Sequence, residues 1–230
     1  MKRITLSLLA LLLTCAAWAQ EKTYDLTDFH AVRAGSHFDV IMERGERPIV
    51  RVEGNEEALR RVEVAVKDGA LRLGWESDKF NRRSYSDRVR VYVTYQRVDE
   101  VESSGSGNFT CHSALTGDHV RVRNSGSGNM TLTAIEADEF SVSNSGSGNL
   151  DLAGRVRKQE IRVSGSGDIS AFDLVSERAK VSISGSSNVD LHVTKTLDAR
   201  ISGSGDVRYR GRPNVENLRV SGSGEISSAD

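Results

Sequence analysis

The chain is short of the residues that staple, kink or anchor a polypeptide. Two cysteines and two prolines occur among its 230 residues, and aromatic residues make up 6%. Cys15 lies in an N-terminal apolar run. Once that run is removed, Cys111 has no intramolecular partner, which excludes a disulfide framework. The run itself, Ile4 to Leu13, falls well short of the roughly twenty residues that span a bilayer, so no transmembrane segment is expected. The five histidines, His30, His37, His112, His119 and His192, show no pairing at ligand spacing, which speaks against zinc. No Gly-x-Ser-x-Gly elbow occurs, because glycines and serines simply alternate. There is no excess of positive charge to draw nucleic acid: the formal charge is −1, and −3 once Lys2 and Arg3 leave with the N-terminal run.

That run reads as a signal peptide over residues 1–19. Lys2 and Arg3 give it a positive start, and Ala17-Trp18-Ala19 places small residues where a signal peptidase reads them. The mature chain is expected to begin at Gln20, in the periplasm, at the outer membrane surface or outside the cell. Lipidation at Cys15 is the alternative, although Thr14 is a poor small residue before it.

What the chain has in abundance is a repeat. A Ser-Gly-Ser-Gly corner, with Ser187 in place of the second glycine in the fifth, begins at Ser104, Ser125, Ser145, Ser164, Ser184, Ser202 and Ser221, at a mean spacing of 19.5 residues. Alternating apolar residues precede each corner, as in Val120 and Val122 or Ile161 and Val163. They resume after an Asn or Asp, as in Met130 and Leu132 or Ile169 and Ala171. A unit of short strands cannot bury its own apolar edge, whereas stacking one unit on the next about 4.8 Å apart closes a core. The pattern therefore predicts an all-β chain, a right-handed parallel β-helix (β-solenoid) with coils of about twenty residues. Helical repeats are excluded by the missing i, i+3, i+4 spacing. Glycine at the corner is expected to supply positive φ and room for the backbone stacked on it.

Residues 101–230 carry these repeats. Residues 20–100 lack the corner and read as an irregular N-terminal β region or as the first coils of the same solenoid, since terminal repeats are atypical. Within them, Asn55 is expected to cap a short helix with Glu56 and Glu57 in its first turn. Asp68-Gly69 is expected to join the strands Val62-Val64-Val66 and Leu71-Leu73-Trp75 as a hairpin. Ser77 to Asp87 reads as a polar loop.

Phe29 to Met42, the Asn55-to-Trp75 stretch with its Asp-Gly turn, and the Ser-Gly-Ser-Gly series from Ser104 together resemble the family of putative auto-transporter adhesins with a head GIN domain. The resemblance covers nearly the whole mature chain and implies a parallel β-helix of short irregular coils with an adhesin-like role. The tripeptide Gly-Ile-Asn does not occur here, and the nearest string is Gly167-Asp168-Ile169.

Two sets of side chains are candidates for chemistry. An outward column before the corners contains Glu102, Arg123, Ser143, Arg162, Ser182, Arg200 and Arg219. Arginine forks bind carboxylates and acidic sugars, so Arg123, Arg162, Arg200 and Arg219 are the candidate binding residues. The plainer reading is that they cover the strand face and blunt aggregation. The second set, Asp151, Asp168, Asp190 and Asp206, would have to supply the acid and base of a glycan-cleaving enzyme. Asp151 and Asp190 lie two coils apart, nearly 10 Å along the stack. Calcium binding is not expected, because corners that come once per twenty residues and carry mostly neutral Asn do not match the faster nonapeptide array. The sequons at Asn108 and Asn129 are accidents of the repeat. The reading is an exported, non-catalytic binding or structural module, without cofactor or metal, that presents a repetitive face to glycan or cell-surface protein and can self-associate. The alternative is a polysaccharide lyase or hydrolase on a β-helix.

Overall fold

The computed structural model describes residues 20–76 and 88–230. The expected signal segment, residues 1–19, and the expected loop, residues 77–87, lie outside the described residues. About two-thirds of the described residues (66%) are strand, joined into one 17-stranded sheet that winds on itself as a β-solenoid of about six stacked turns with an irregular N-terminal part.

The N-terminal part contains β1 (Gln20–Asp25), β2 (Ala31–Ala34), β3 (Asp39–Arg44), β4 (Ile49–Gly54), the helix α1 (Glu56–Arg61), β5 (Val62–Lys67), β6 (Ala70–Trp75) and β7 (Arg90–Tyr95). Helix α1 starts where a polar side chain satisfies its free amides, with Asn55 Oδ1 accepting from the Ala58 N–H at 2.8 Å. The β5–β6 turn is made by Asp68 and Gly69, both at positive φ (53° and 71°), the geometry in which a two-residue turn matches strand twist.

The repeats follow as β8 (Glu100–Ser103), β9 (Phe109–Cys111), β10 (Leu115–Asn124), β11 (Met130–Asn144), β12 (Leu150–Val163), β13 (Ile169–Ile183), β14 (Val189–Gly203), β15 (Val207–Arg210), β16 (Asn214–Gly222) and β17 (Ile226–Ser228). From β8 onward every pairing is parallel and in register next to the corners, where Val122 sits on Val101 and under Val142, and Val142 under Ile161, while bulges shift the register further along the strands, as between Leu132 and Ile135. The alternating apolar residues point inward as their period of two requires. Val120, Val122, Met130, Leu132, Phe140, Ile161, Ile169 and Val189 are all essentially inaccessible, in one continuous core.

Stacking order departs from chain order at the N-terminus. β2 pairs in parallel with β6 on one side and β8 on the other, and β3 likewise with β7 and β9. The coil made by β2 and β3 is thus sandwiched between one formed later in the chain and the first glycine-cornered coil. Beyond β7 the sheet continues antiparallel through β4 to β1, and α1 places Ala58 and Leu59 against the core.

The corners correct one expectation. Among the corner glycines only Gly222 takes positive φ (140°), so left-handed backbone is not what the position demands. Room is. A Cβ on Gly146 would lie 1.8 Å from the Gly126 carbonyl oxygen, and one on Gly148 would lie 1.9 Å from that of Gly128. The fifth corner reads Ser-Gly-Ser-Ser, and Ser187 is fully buried there with its Oγ donating to the Gly165 carbonyl.

The Asn and Asp after each corner face outward and form a ladder. Asp39 Oδ1 accepts from the Asn108 N–H, Asn108 Oδ1 from Asn129, Asn129 from Asn149, Asn149 from Asp168, Asp168 from Asn188, Asn188 from Asp206, and Asp206 from Glu225, all at 2.7–3.2 Å. Each rung satisfies a backbone donor that the corner leaves out of the sheet ladder.

Candidate ligand-binding groove

The outward column before the corners forms in register. Glu102 pairs with Arg123, Arg123 with Ser143, Ser143 with Arg162, Arg162 with Ser182, Ser182 with Arg200, and Arg200 with Arg219. Arg123, Arg162, Arg200 and Arg219 are exposed, and the serines between them are half-buried. Their inward neighbours, Val122, Ile161 and Ile201, are locked in the core, so the strand fixes the stem of each arginine while its fork stays in water.

Arg162, Arg200 and Arg219, together with Ser143, Ser182 and the corner serines, line a surface groove of about 460 Å³. Arg123 stands one coil beyond its end at Ser143. The arginines lean on acids in the neighbouring column: Arg162 Nη2 to Glu160 at 2.5 Å, Arg200 Nη2 to Asp198 at 3.6 Å, and Arg123 Nη1 to Glu100 at 3.3 Å. Among the described residues Arg219 forms no ion pair. Arg200 and Arg219 therefore sit on adjacent strands with Asp198 as their one ion-pair partner among the described residues, a like-charge juxtaposition that costs stability.

Sequence reasoning missed the lower end of this column. Arg33 lies in register with Glu102 and bridges to Glu100 (3.1 Å) and Glu102 (3.4 Å), and Arg121 also reaches Glu100 (3.5 Å). The signal was Gly35-Ser36, followed by Asp39 at the place of the ladder Asn, a corner without the full glycine pattern.

The candidate acids fall in two columns. Asp151, Ser170 and Asp190 are in register, and Asp190 is held bidentately by Arg208 (2.6 and 2.7 Å), which raises the Arg208 pKa through that hydrogen bond. Asp168 and Asp206 belong to the backbone-bonded ladder. Asp168, Asp190 and Asp206 line one shallow groove of about 520 Å³, and Asp151 lies outside it.

A third groove, of about 630 Å³, runs over the outer face of β10–β14 and is lined by His119, Glu139, Lys158, Arg178 and Lys180 among others. Its charges pair with one another along the stack: His119 with Glu139 (3.1 Å), Lys158 with Glu139 (2.5 Å) and, beside it, Arg157 with Asp138 (3.3 Å). The Arg157 hydrogen bond lowers the Asp138 pKa, and the Lys158 hydrogen bond lowers that of Glu139.

Among the described residues no three His, Cys, Asp or Glu side chains gather as a metal site, and no helix is long and apolar enough to cross a membrane. Cys111 is buried, with its Sγ 3.4 Å from the Tyr95 hydroxyl. Burial pushes the Cys111 pKa up and carries that of Tyr95 far above its ordinary range.

Among solved structures, the chain is similar to a putative adhesin from Bacteroides fragilis at a TM-score of 0.82 and 21% identity, over 93% of this chain and 98% of that one. A putative adhesin from Parabacteroides merdae matches with a TM-score of 0.72 at 24% identity, over 94% and 98% of the two chains. A structure named as a putative lipid binding protein from Parabacteroides distasonis matches with the same TM-score, identity and coverage. At these identities the likeness shows the fold. No curated protein matches. The family model described as "putative auto-transporter adhesin, head GIN domain" matches residues 28–213, and with most of its length so covered the chain belongs to that family.

Proposed function

We propose that the chain is an exported, non-catalytic adhesin-like module of the bacterial cell envelope, and that its arginine-serine groove binds an anionic glycan. Family membership supports a binding module. The observation that carries the ligand class is the pair Arg200 and Arg219, adjacent in register in a groove walled by serine hydroxyls, with Asp198 as their one ion-pair partner among the described residues. A planar fork with five donors suits a carboxylate, and the hydroxyls beside it suit sugar hydroxyls.

The test is retention on an acidic polysaccharide by the mature chain and by a variant carrying Arg162→Ala, Arg200→Ala and Arg219→Ala. Exposed ion pairs contribute up to about 1 kcal/mol each, so the triple change is expected to weaken binding about tenfold or more. Unaltered binding would end the groove reading. Acidic lipid vesicles belong in the same experiment because a similar structure is named as lipid binding, and competition by vesicles at matched charge would move the ligand class from glycan to headgroup.

The lyase or hydrolase alternative needs two carboxylates free to face a glycosidic bond. The clamp of Arg208 on Asp190 and the use of Asp168 and Asp206 as ladder rungs support the binding reading over it.

Self-association belongs to the same proposal. Val215, Leu218 and Val220 continue the core columns of Leu197, Ala199 and Ile201 yet are 37%, 44% and 44% exposed, because β16 and β17 have a coil on one side only among the described residues. A single extended peptide would cover one of these two edges. The same end of a second copy presents a matching coil outline to both, and the opposite end is closed by α1 and the antiparallel strands, so the pairing is tail to tail.

A further inference from the structure

Resting on the groove reading above, we infer that the groove takes an extended glycan in which acidic and neutral sugars alternate, laid along the solenoid axis. The column reads Arg123, Ser143, Arg162, Ser182, Arg200 in unbroken register, a guanidinium on every second coil and a hydroxyl on each coil between. Parallel coils rise about 4.8 Å, so like groups recur about every 10 Å. An extended pyranose chain advances by close to one coil rise per sugar, and a disaccharide therefore by close to two. A polymer with one carboxylate per disaccharide brings an acid to each arginine and a neutral sugar to each serine. A polymer with a carboxylate on every sugar sets half its charges against Ser143 and Ser182, where they lose water without gaining a cationic partner.

The forks are free enough to take part. Arg162 and Arg200 each engage their carboxylate neighbour through Nη2 alone, which leaves the remaining donors of each fork for a ligand. The column is also bounded. Below Arg123 the next residues in register are Glu102 and Arg33, which close on each other and on Glu100 as ion pairs and leave no guanidinium uncommitted there. Above Arg200 comes Arg219, a second consecutive guanidinium that can share the last acid. From Arg123 to Arg219 is five coil steps, so the footprint is about 24 Å, or about five sugars.

The experiment compares hyaluronan, in which acidic and neutral sugars alternate, with polyglucuronate, acidic at every sugar, at equal carboxylate concentration and low salt. The wild-type mature chain is expected to bind hyaluronan at least threefold more tightly. Ser182→Arg puts a guanidinium on each of the four coils from Arg162 to Arg219 and is expected to erase or invert that ratio. Ser143→Arg makes the same change two coils away and guards against a folding defect in the first variant. Equal binding of both polymers by the wild type, or an unchanged ratio in both arginine variants, overturns the alternation while leaving the acidic-glycan reading standing. Wild-type binding to neither polymer overturns both.

Discussion

Gly126 stacks on Gly105 so closely that a Cβ on Gly126 would lie 1.7 Å from the Gly105 carbonyl oxygen and 2.9 Å from its nitrogen. The obstacle is backbone, fixed by the Ser127 N–H donating to that same carbonyl at 3.0 Å, so no side-chain rotation relieves it. Gly126→Ala must open the coil spacing and is expected to cost about 3 kcal/mol, read as a lowered midpoint in urea unfolding. Gly74→Ala is the control. Nothing lies within 4 Å of its added Cβ, and it is expected to be neutral or slightly stabilising. Equal effects at both glycines would remove close stacking as the reason for the repeat.

Gln159 concerns the opposite fault, a polar group where the core has no use for it. It occupies the inward row between Phe140 and Ala179, is 2% exposed, and neither amide atom has a hydrogen-bond partner among the described residues. An unsatisfied buried amide costs about 1–3 kcal/mol. Gln159→Met, similar in volume and flexible enough to follow the same path, is expected to raise the thermal midpoint. A lowered midpoint would show that the amide is satisfied in solution.

These residues mark how far the sequence can be read. The solenoid was legible because a corner that admits almost only glycine recurs once per coil, and because residues such as Val142 and Ile161 alternate with the period of a strand. The arginine column followed from the same parity, since strict register carries each outward residue onto the next. Three features were not legible. The coil of β2 and β3 lies between strands made later in the chain, and parallel partners are chosen by tertiary packing that local sequence does not encode. Gly35-Ser36 disguises its corner, with Ser36 at φ 102° where a glycine would announce a turn. The inward Asn124 and Asn144 are buried polar residues whose amides bond to each other and to corner carbonyls, including those of Gly128 and Gly148, an arrangement visible only once the corners stack.

Acid should loosen the β10–β14 face first. Asp138, Glu139 and Glu177 have their pKa values lowered, chiefly by hydrogen bonds from Arg157, Lys158 and Lys195 respectively. A carboxylate whose folded pKa lies below its unfolded one adds stability above the unfolded value and loses it as pH falls through the folded value. The thermal midpoint is therefore expected to be flat near neutrality and to fall from about pH 4 downward. Replacing Arg157, Lys158 and Lys195 together by Ala is expected to shrink that fall, and added salt to shrink it further, because the pairs are exposed. An acid-induced fall of the same size in the triple variant would place the sensitivity elsewhere.

The exposed end of the stack gives the last expectation. Leu218 and Val220 stand on Ala199 and Ile201, which are buried, and repeat their inward direction with no strand on their other side among the described residues. Leu218→Lys with Val220→Lys places two charges in the path of any coil that would dock there, while removing side chains that already face solvent in the single chain, so the fold itself should survive. Analytical ultracentrifugation of residues 20–230 is expected to show a dimer that the double variant converts to monomer, with an unchanged far-ultraviolet spectrum. A wild-type chain that stays monomeric at its highest soluble concentration would overturn the tail-to-tail contact. A ladder of larger species would do so as well, because a contact between two like ends closes on itself and cannot propagate.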